Sequence, residues 1–171
     1  IKKLGFSEIK VASYDCASYQ MLGELKNNFN YIYLSTGATY NTEIKEASRI
    51  LKNNFSLLHC VTQYPNKLNN LNLSRMKFLK KYSKEVGYSD HTNPEVDKLV
   101  ASLSAIYFGA KVLERHFTIL NKKSTKDGIV SVNSSQLKQI KTFCEKNKIN
   151  QLKILRSLNF KKDMFLGRYN P

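Results

Sequence analysis

Five short apolar runs, each closed by polar residues, recur along this chain and limit what it can fold into. They read EIKVAS (8–13), YIYLST (31–36), FSLLHCV (55–61), EVGYS (85–89) and AKVLERHF (110–117). All are too short for helices and rich in Val, Ile, Leu and Tyr, which suits parallel strands covered on both faces. Their ends, near Ser13, Ser35, Cys60, Ser89 and Phe117, recur at intervals of roughly 22 to 30 residues, the length of one βα unit. Right-handed crossovers then leave two α/β architectures, an open doubly wound sheet or an arc of a (β/α)8 barrel. Periodicity does not choose between them.

The intervening segments carry helix signals. Asn41 or Thr42 is expected to cap a helix with Glu43 and Glu46 in its first turn and Ile44, Ala47, Ile50 and Leu51 inward. Leu73, Met76, Phe78 and Leu79 mark the helix before the fourth strand. Asn93, Pro94 and Glu95 supply a cap, a first-turn proline and a dipole-complementing carboxylate. A buried face of Val96, Leu99, Val100, Leu103, Ile106 and Tyr107 follows, closed by Gly109. Ser134 or Ser135 opens a further helix with Leu137, Ile140 and Phe143 inward. Residues 1–149 are read as the barrel portion, and 150–171 as a terminal helix and extended tail. The opening IKKLGFSEIKVAS reads as a helix tail ending at Gly5 before a strand, so the sequence is expected to be part of a longer one.

Composition narrows the function classes. No apolar run approaches the roughly 18–20 residues of a membrane span. Cys16, Cys60 and Cys144 are odd in number, far apart and without a CxxC pair, the usage of reduced thiols in a cytoplasmic compartment. The formal charge of +15 raises nucleic-acid binding. However, the lysines are scattered, and KKYSK (80–84) and NKK (121–123) lack the interleaved aromatics of a single-strand binder. A solvated basic surface, compatible with small anionic substrates, is the better account. No dinucleotide or phosphate-loop glycine pattern is present.

In either architecture ligands bind beyond the carboxyl ends of the strands. Those positions hold Lys10, Ser13 and Asp15; Ser35 and Thr36; His59, Cys60, Thr62 and Tyr64; Ser89, Asp90 and His91; and Glu114 and His116, with Asp127 in the next loop. His91 and His116 end consecutive strands, so their imidazoles are placed to share a divalent ion such as Mn, Fe, Co or Zn. Lys10 lies within an apolar strand, a costly place unless it meets an anion. Ser35 and Ser89 are candidate donors to phosphate oxygens, and Asp15 and Asp127 are candidate acid/base or hydroxyl-binding groups. His59 reads as a structural histidine and Cys60 as inert packing.

The ordered set IKVASYD, LSTGAT, LLHCVTQYP, GYSDHT and VLERHFT resembles the sialic acid synthase family, over about residues 1–140. The resemblance implies a partial (β/α)8 barrel, with these five strands corresponding to its fourth through eighth and the first three βα units absent. It implies condensation of phosphoenolpyruvate with an N-acetylated amino sugar to a sialic-acid-like nonulosonic acid, releasing phosphate by C–O cleavage. By motif, His91 and His116 match the ligands of Mn2+ or Mg2+. Lys10, Ser13, Ser35 and Ser89 match phosphoenolpyruvate contacts, Asp15 a catalytic acidic position, and Tyr64 and Asp127 sugar-facing residues with Thr62 beside them. Asp90 is expected to support the neighbouring ligand. Tyr14 stands where the family has glycine, and TKDG (125–128) keeps only Asp127 of the family's loop. The full-length protein is expected to be a homodimer, bound neither to membrane nor to nucleic acid. The alternatives are a non-catalytic remnant or split-gene half needing a partner chain, and another phosphoenolpyruvate-condensing barrel acting on a sugar phosphate.

Overall fold

The computed structural model describes residues 2–158 and 160. All five runs are strands: β1 (Glu8–Val11), β2 (Tyr31–Ser35), β3 (Phe55–Cys60), β4 (Glu85–Asp90) and β5 (Val112–Arg115). They form one parallel sheet in the order β1-β2-β3-β4-β5. Because the order never reverses, right-handed crossovers put every connecting helix on the same side, as in a barrel. A doubly wound sheet would need a switch point. The architecture is α/β, a partial (β/α)8 barrel.

Strand alternation gives this arc two different faces. Val11, Ile32, Leu34, Leu57, Val86 and Tyr88 point to the convex side. There they pack against Leu22 of α1 (Tyr19–Asn28), Ile44, Ala47 and Leu51 of α2 (Asn41–Leu51), and Met76 and Leu79 of α3 (Arg75–Leu79). The alternate residues line the concave side and are largely polar. Tyr33 donates to Glu8 at 2.7 Å, and the Tyr31 and Ser56 hydroxyls meet at 2.7 Å. Lys10 on β1 reaches Glu114 on β5 at 3.0 Å, a contact between the first and last strands that only a strongly curled sheet allows. Gly87 helps the curl. A Cβ there would come within 2.4 Å of Leu58 and 2.5 Å of the Val112 carbonyl.

The helices depart from expectation in three places. Tyr40, rather than Asn41 or Thr42, is the residue before α2, and its N–H donates to Glu43 at 2.7 Å. The helix expected after Asn93 is two pieces, α4 (Pro94–Asp97) and α5 (Val100–Tyr107), split by left-handed backbone at Lys98 and Leu99. The break turns Leu99 inward, into a second cluster with Leu103, Val132, Ile140, Phe143 and Leu155, and leaves Val96 71% exposed. Asn93 does cap α4, accepting from Glu95 N at 3.0 Å, and Gly109 closes α5 at φ +100°. The next helix, α6 (Ser134–Cys144), is capped by Asn133 through reciprocal 2.9 Å bonds with Gln136. Ile140 and Phe143 are buried, whereas Leu137 lies off the packed stripe and is 47% exposed. The terminal helix is α7 (Lys148–Ser157); the extended tail expected after it falls, apart from Phe160, outside the described residues. Among the described residues no helix is long and apolar enough to cross a membrane.

His59 faces the convex side, where its Nε2 meets the Leu71 carbonyl at 2.6 Å. Burial, aided by the charge of Arg75, pushes its pKa down to about 4 against the bond to Leu71. The folded state therefore binds a proton less readily than the unfolded chain, whose histidine titrates near 6.5. Stability from this group should be full above about pH 6.5 and fall as pH drops toward 4, by up to a few kcal/mol at ~1.4 kcal/mol per pKa unit. Urea midpoints across that range should show the fall, with a shallower slope in His59→Gln. Gly87→Ala should cost about 1–3 kcal/mol in the same assay, because the added methyl overfills the barrel interior.

Candidate functional site

The site is built on the carboxyl ends of β4 and β5, and its foundation lies beneath it on the opposite face. Asp90 ends β4 and Arg115 ends β5, both pointing to the convex side. They form an ion pair at 2.7 Å with Asp90 fully buried and Arg115 nearly so. Charges taken this far from water are tolerated when they are paired and hydrogen-bonded. Here they are, with Arg115 Nε the one buried atom of the pair left without a partner. Asp90 accepts from Thr92 N at 2.9 Å and from the Ser102 hydroxyl at 2.5 Å, while Arg115 donates to the carbonyls of Thr92 and Val130 at 3.1 Å each. The pair fixes where each strand stops and which way its last peptide faces. The next residue on each chain then turns to the concave side, and those residues are His91 and His116.

The imidazoles of His91 and His116 converge, with ring centroids 5.4 Å apart at an interplanar angle of 66°. His91 Nδ1 lies 3.3 Å from the Val61 carbonyl, a partner that can only accept, so Nδ1 carries the proton and Nε2 presents its lone pair. Burial is the main cause of a lowered His91 pKa, with the charge of His116 adding to it, so this ring is neutral near pH 7. The Tyr64 hydroxyl meets Nε2 at 2.8 Å, and the Tyr64 ring stacks on His91 at 4.0 Å and meets His116 edge-on at 5.8 Å. Asp127 Oδ2 lies 3.9 Å from His116 Nδ1, on a residue with left-handed backbone.

The anion-binding candidates lie beside this pair on the concave face. Lys10 pairs with Glu114, which also receives a long 3.5 Å contact from the Ser35 hydroxyl. Ser13 is held by the 2.9 Å bond from Gly37 N, and the Ser13 and Ser89 hydroxyls flank the Cys60 thiol. Cys60 Sγ is 3.8 Å from His91 Nδ1. It thus sits amid the polar cluster, although burial raises its pKa and keeps it protonated. Thr62 is exposed at the rim, its methyl packed near Gly37. Asp15 stays with its own turn, accepting from Ser18 at 3.4 Å. Sequence reasoning gave no role to Arg115 or Glu114. A charged residue alternating with a histidine at a strand end, as in ERHF, was the available sign of both.

The two imidazoles fit a divalent ion. One ring has its tautomer set by a backbone carbonyl, leaving on Nε2 the lone pair that the Tyr64 hydroxyl meets, which is the usual preparation of a metal-binding histidine. Among the described residues no group of three or more His, Cys, Asp and Glu closes round one point. The pair would therefore hold such an ion as a two-histidine site, with Asp127 at its edge and the other positions left to water or substrate.

The model for the NeuB family matches residues 1–154. The chain belongs to the NeuB family. It is 36% identical over 149 residues to the N,N'-diacetyllegionaminic acid synthase of Campylobacter jejuni, an alignment covering 83% of this chain and 43% of that one. It is 28% identical over 145 residues to the pseudaminic acid synthase of Helicobacter pylori, covering 82% and 42%. The N-acetylneuraminic acid synthetase of Leptospira borgpetersenii, crystallised with citrate, superposes with a TM-score of 0.75 at 29% identity, over 95% of this chain and 54% of that one. The chain thus spans about half the length, or less, of the NeuB relatives it matches.

Removing either partner of the buried ion pair should be costly. Asp90→Leu and Arg115→Met should each destabilise by about 3–5 kcal/mol, since each strands a buried charge. The double variant should lose clearly less than the sum, as measured by a double-mutant cycle in urea.

Proposed function

We propose that the polypeptide carrying this sequence is a sialic-acid-synthase-like transferase. It would condense phosphoenolpyruvate with an N-acetylated amino sugar to give a nonulosonic acid and inorganic phosphate. The observation that carries the reading is the convergence of His91 and His116 beside Lys10 and the hydroxyls of Ser13, Ser35 and Ser89, in a NeuB-family chain.

The chemistry asks for a site that binds a dense anion and an aldehyde together. C3 of phosphoenolpyruvate bonds to the aldehyde carbon, water adds at C2, and the C2–O bond breaks to release phosphate and leave a ketone. Lys10 and the serine hydroxyls suit the phosphate and carboxylate oxygens, where donors stabilise charge as phosphate departs. Glu114 holds the Lys10 ammonium in position until the anion arrives. His91 and His116 would hold Mn2+ or Mg2+, which supplies Lewis acidity toward the aldehyde oxygen. Asp127, beside His116 at the mouth, is placed to accept a proton from or orient a sugar hydroxyl. Tyr64 lies over the two histidines, and Thr62 is exposed at the rim. Asp15 carries no step in this scheme, its partner being local.

Phosphate release from phosphoenolpyruvate should depend on a divalent ion and on an N-acetylated hexosamine. Oxygen-18 in the bridging position of phosphoenolpyruvate should appear in the phosphate. His91→Gln and His116→Gln should each lower the rate at least about 100-fold, the loss expected when Lewis-acid stabilisation is removed. No release with any N-acetylated amino sugar tried, with Mn2+ and Mg2+ both supplied, would overturn the proposal.

A further inference from the structure

We infer that Tyr64 is a gate on the two-histidine site: its hydroxyl occupies the place on His91 Nε2 that a divalent ion takes, so ion binding and outward movement of Tyr64 are one event. The inference rests on the reading of His91 and His116 as metal ligands and adds a residue that sets how tightly they bind.

An imidazole nitrogen has one lone pair, in the plane of the ring. With the His91 Nδ1 proton directed at the Val61 carbonyl, that lone pair is on Nε2, and the Tyr64 hydroxyl donates to it at 2.8 Å. A metal ion binds imidazole nitrogen at about 2.0–2.1 Å along the same direction. The ion and the hydroxyl hydrogen thus compete for one pair of electrons, and both cannot be present.

The surroundings say what moves. The Tyr64 ring lies over His91 and edge-on to His116, so its departure uncovers both imidazoles at once. Its chain position is anchored two residues on, where Asn66 N donates to the His91 carbonyl at 2.9 Å and Asn66 bridges to Thr92. The side chain, 48% exposed, has solvent on its free side. Rotation of Tyr64 about its own side-chain torsions is therefore the motion available, while the loop backbone stays in place.

Titration of the full chain with Co2+, followed by its visible absorption, tests the gate. Tyr64→Phe removes the competing hydrogen bond and should bind Co2+ about two- to tenfold more tightly than the native chain, the worth of one such bond. His91→Gln should abolish binding. In the native chain, saturation with diamagnetic Zn2+ should shift the Tyr64 ring resonances together with His91 Nε2, a readout that needs no folded variant. Equal or weaker Co2+ binding by Tyr64→Phe, or Tyr64 resonances that ignore Zn2+, overturns the gate and leaves the histidine site standing. Co2+ binding by neither the native chain nor Tyr64→Phe, or binding that survives His91→Gln, overturns the histidine site and the gate with it.

Discussion

A buried ion pair between Asp90 and Arg115 holds the functional end of this arc together. It joins the last residues of β4 and β5 on the convex side, and draws in α5 through Ser102 and the loop before α6 through the Val130 carbonyl. Such a pair offers little net stability over a well-packed apolar pair, because desolvation consumes most of the attraction. Its value here is geometric. By fixing two adjacent strand ends to one another, it fixes the two residues that follow, and alternation sends those residues to the other face. The histidines converge because their neighbours do.

The same alternation explains how so small a sheet carries a polar site without losing its core. Hydrophobic burial is concentrated on the convex side, where the helices cover Val, Ile, Leu and Tyr88, with Leu58 a buried apolar residue of the concave side. The concave side is left to hydroxyls, carboxylates and Lys10. The Lys10–Glu114 pair is only partly shielded from solvent, so it contributes modestly to stability. An incoming anion can therefore compete for the ammonium at small cost. Deep burial of that lysine would have made it a structural group; its half-open setting makes it a recruitable one.

Tyr64 and Asp127 belong to loops, yet neither loop is loose. The first is tied through Asn66 to the His91 carbonyl. The second is fastened by Lys122, which meets both Glu95 of α4 and Gln136 of α6, and is packed so closely that a Cβ on Gly128 would collide with the Lys122 carbonyl. Tyr64 and Asp127 are thus carried on segments whose backbone is held by the scaffold. That is the arrangement a site needs if one ring is to move while the rest stays aligned.

Local pattern in the sequence determined a good deal. Apolar runs of strand length at βα spacing identified the five strands, although only their convex faces are apolar and helix-covered, the concave faces being largely polar. Strand-end position singled out His91, His116, Lys10 and the serines as candidates, because parallel α/β folds put ligands there. The motifs in order pointed to the sialic acid synthase family. Tertiary structure alone decided the remainder. Val96 and Leu137 have helical spacing yet face solvent, because a break after Asp97 and the seating of α6 depend on neighbours distant in the chain. Barrel arc rather than doubly wound sheet follows from strand order, which local periodicity does not encode. Arg115 against Asp90, Lys10 against Glu114 and Tyr64 on His91 are meetings across 25, 104 and 27 residues. The first and third exist only once neighbouring strands have paired in register, and the second only once the sheet has curled; no short window of sequence contains either condition.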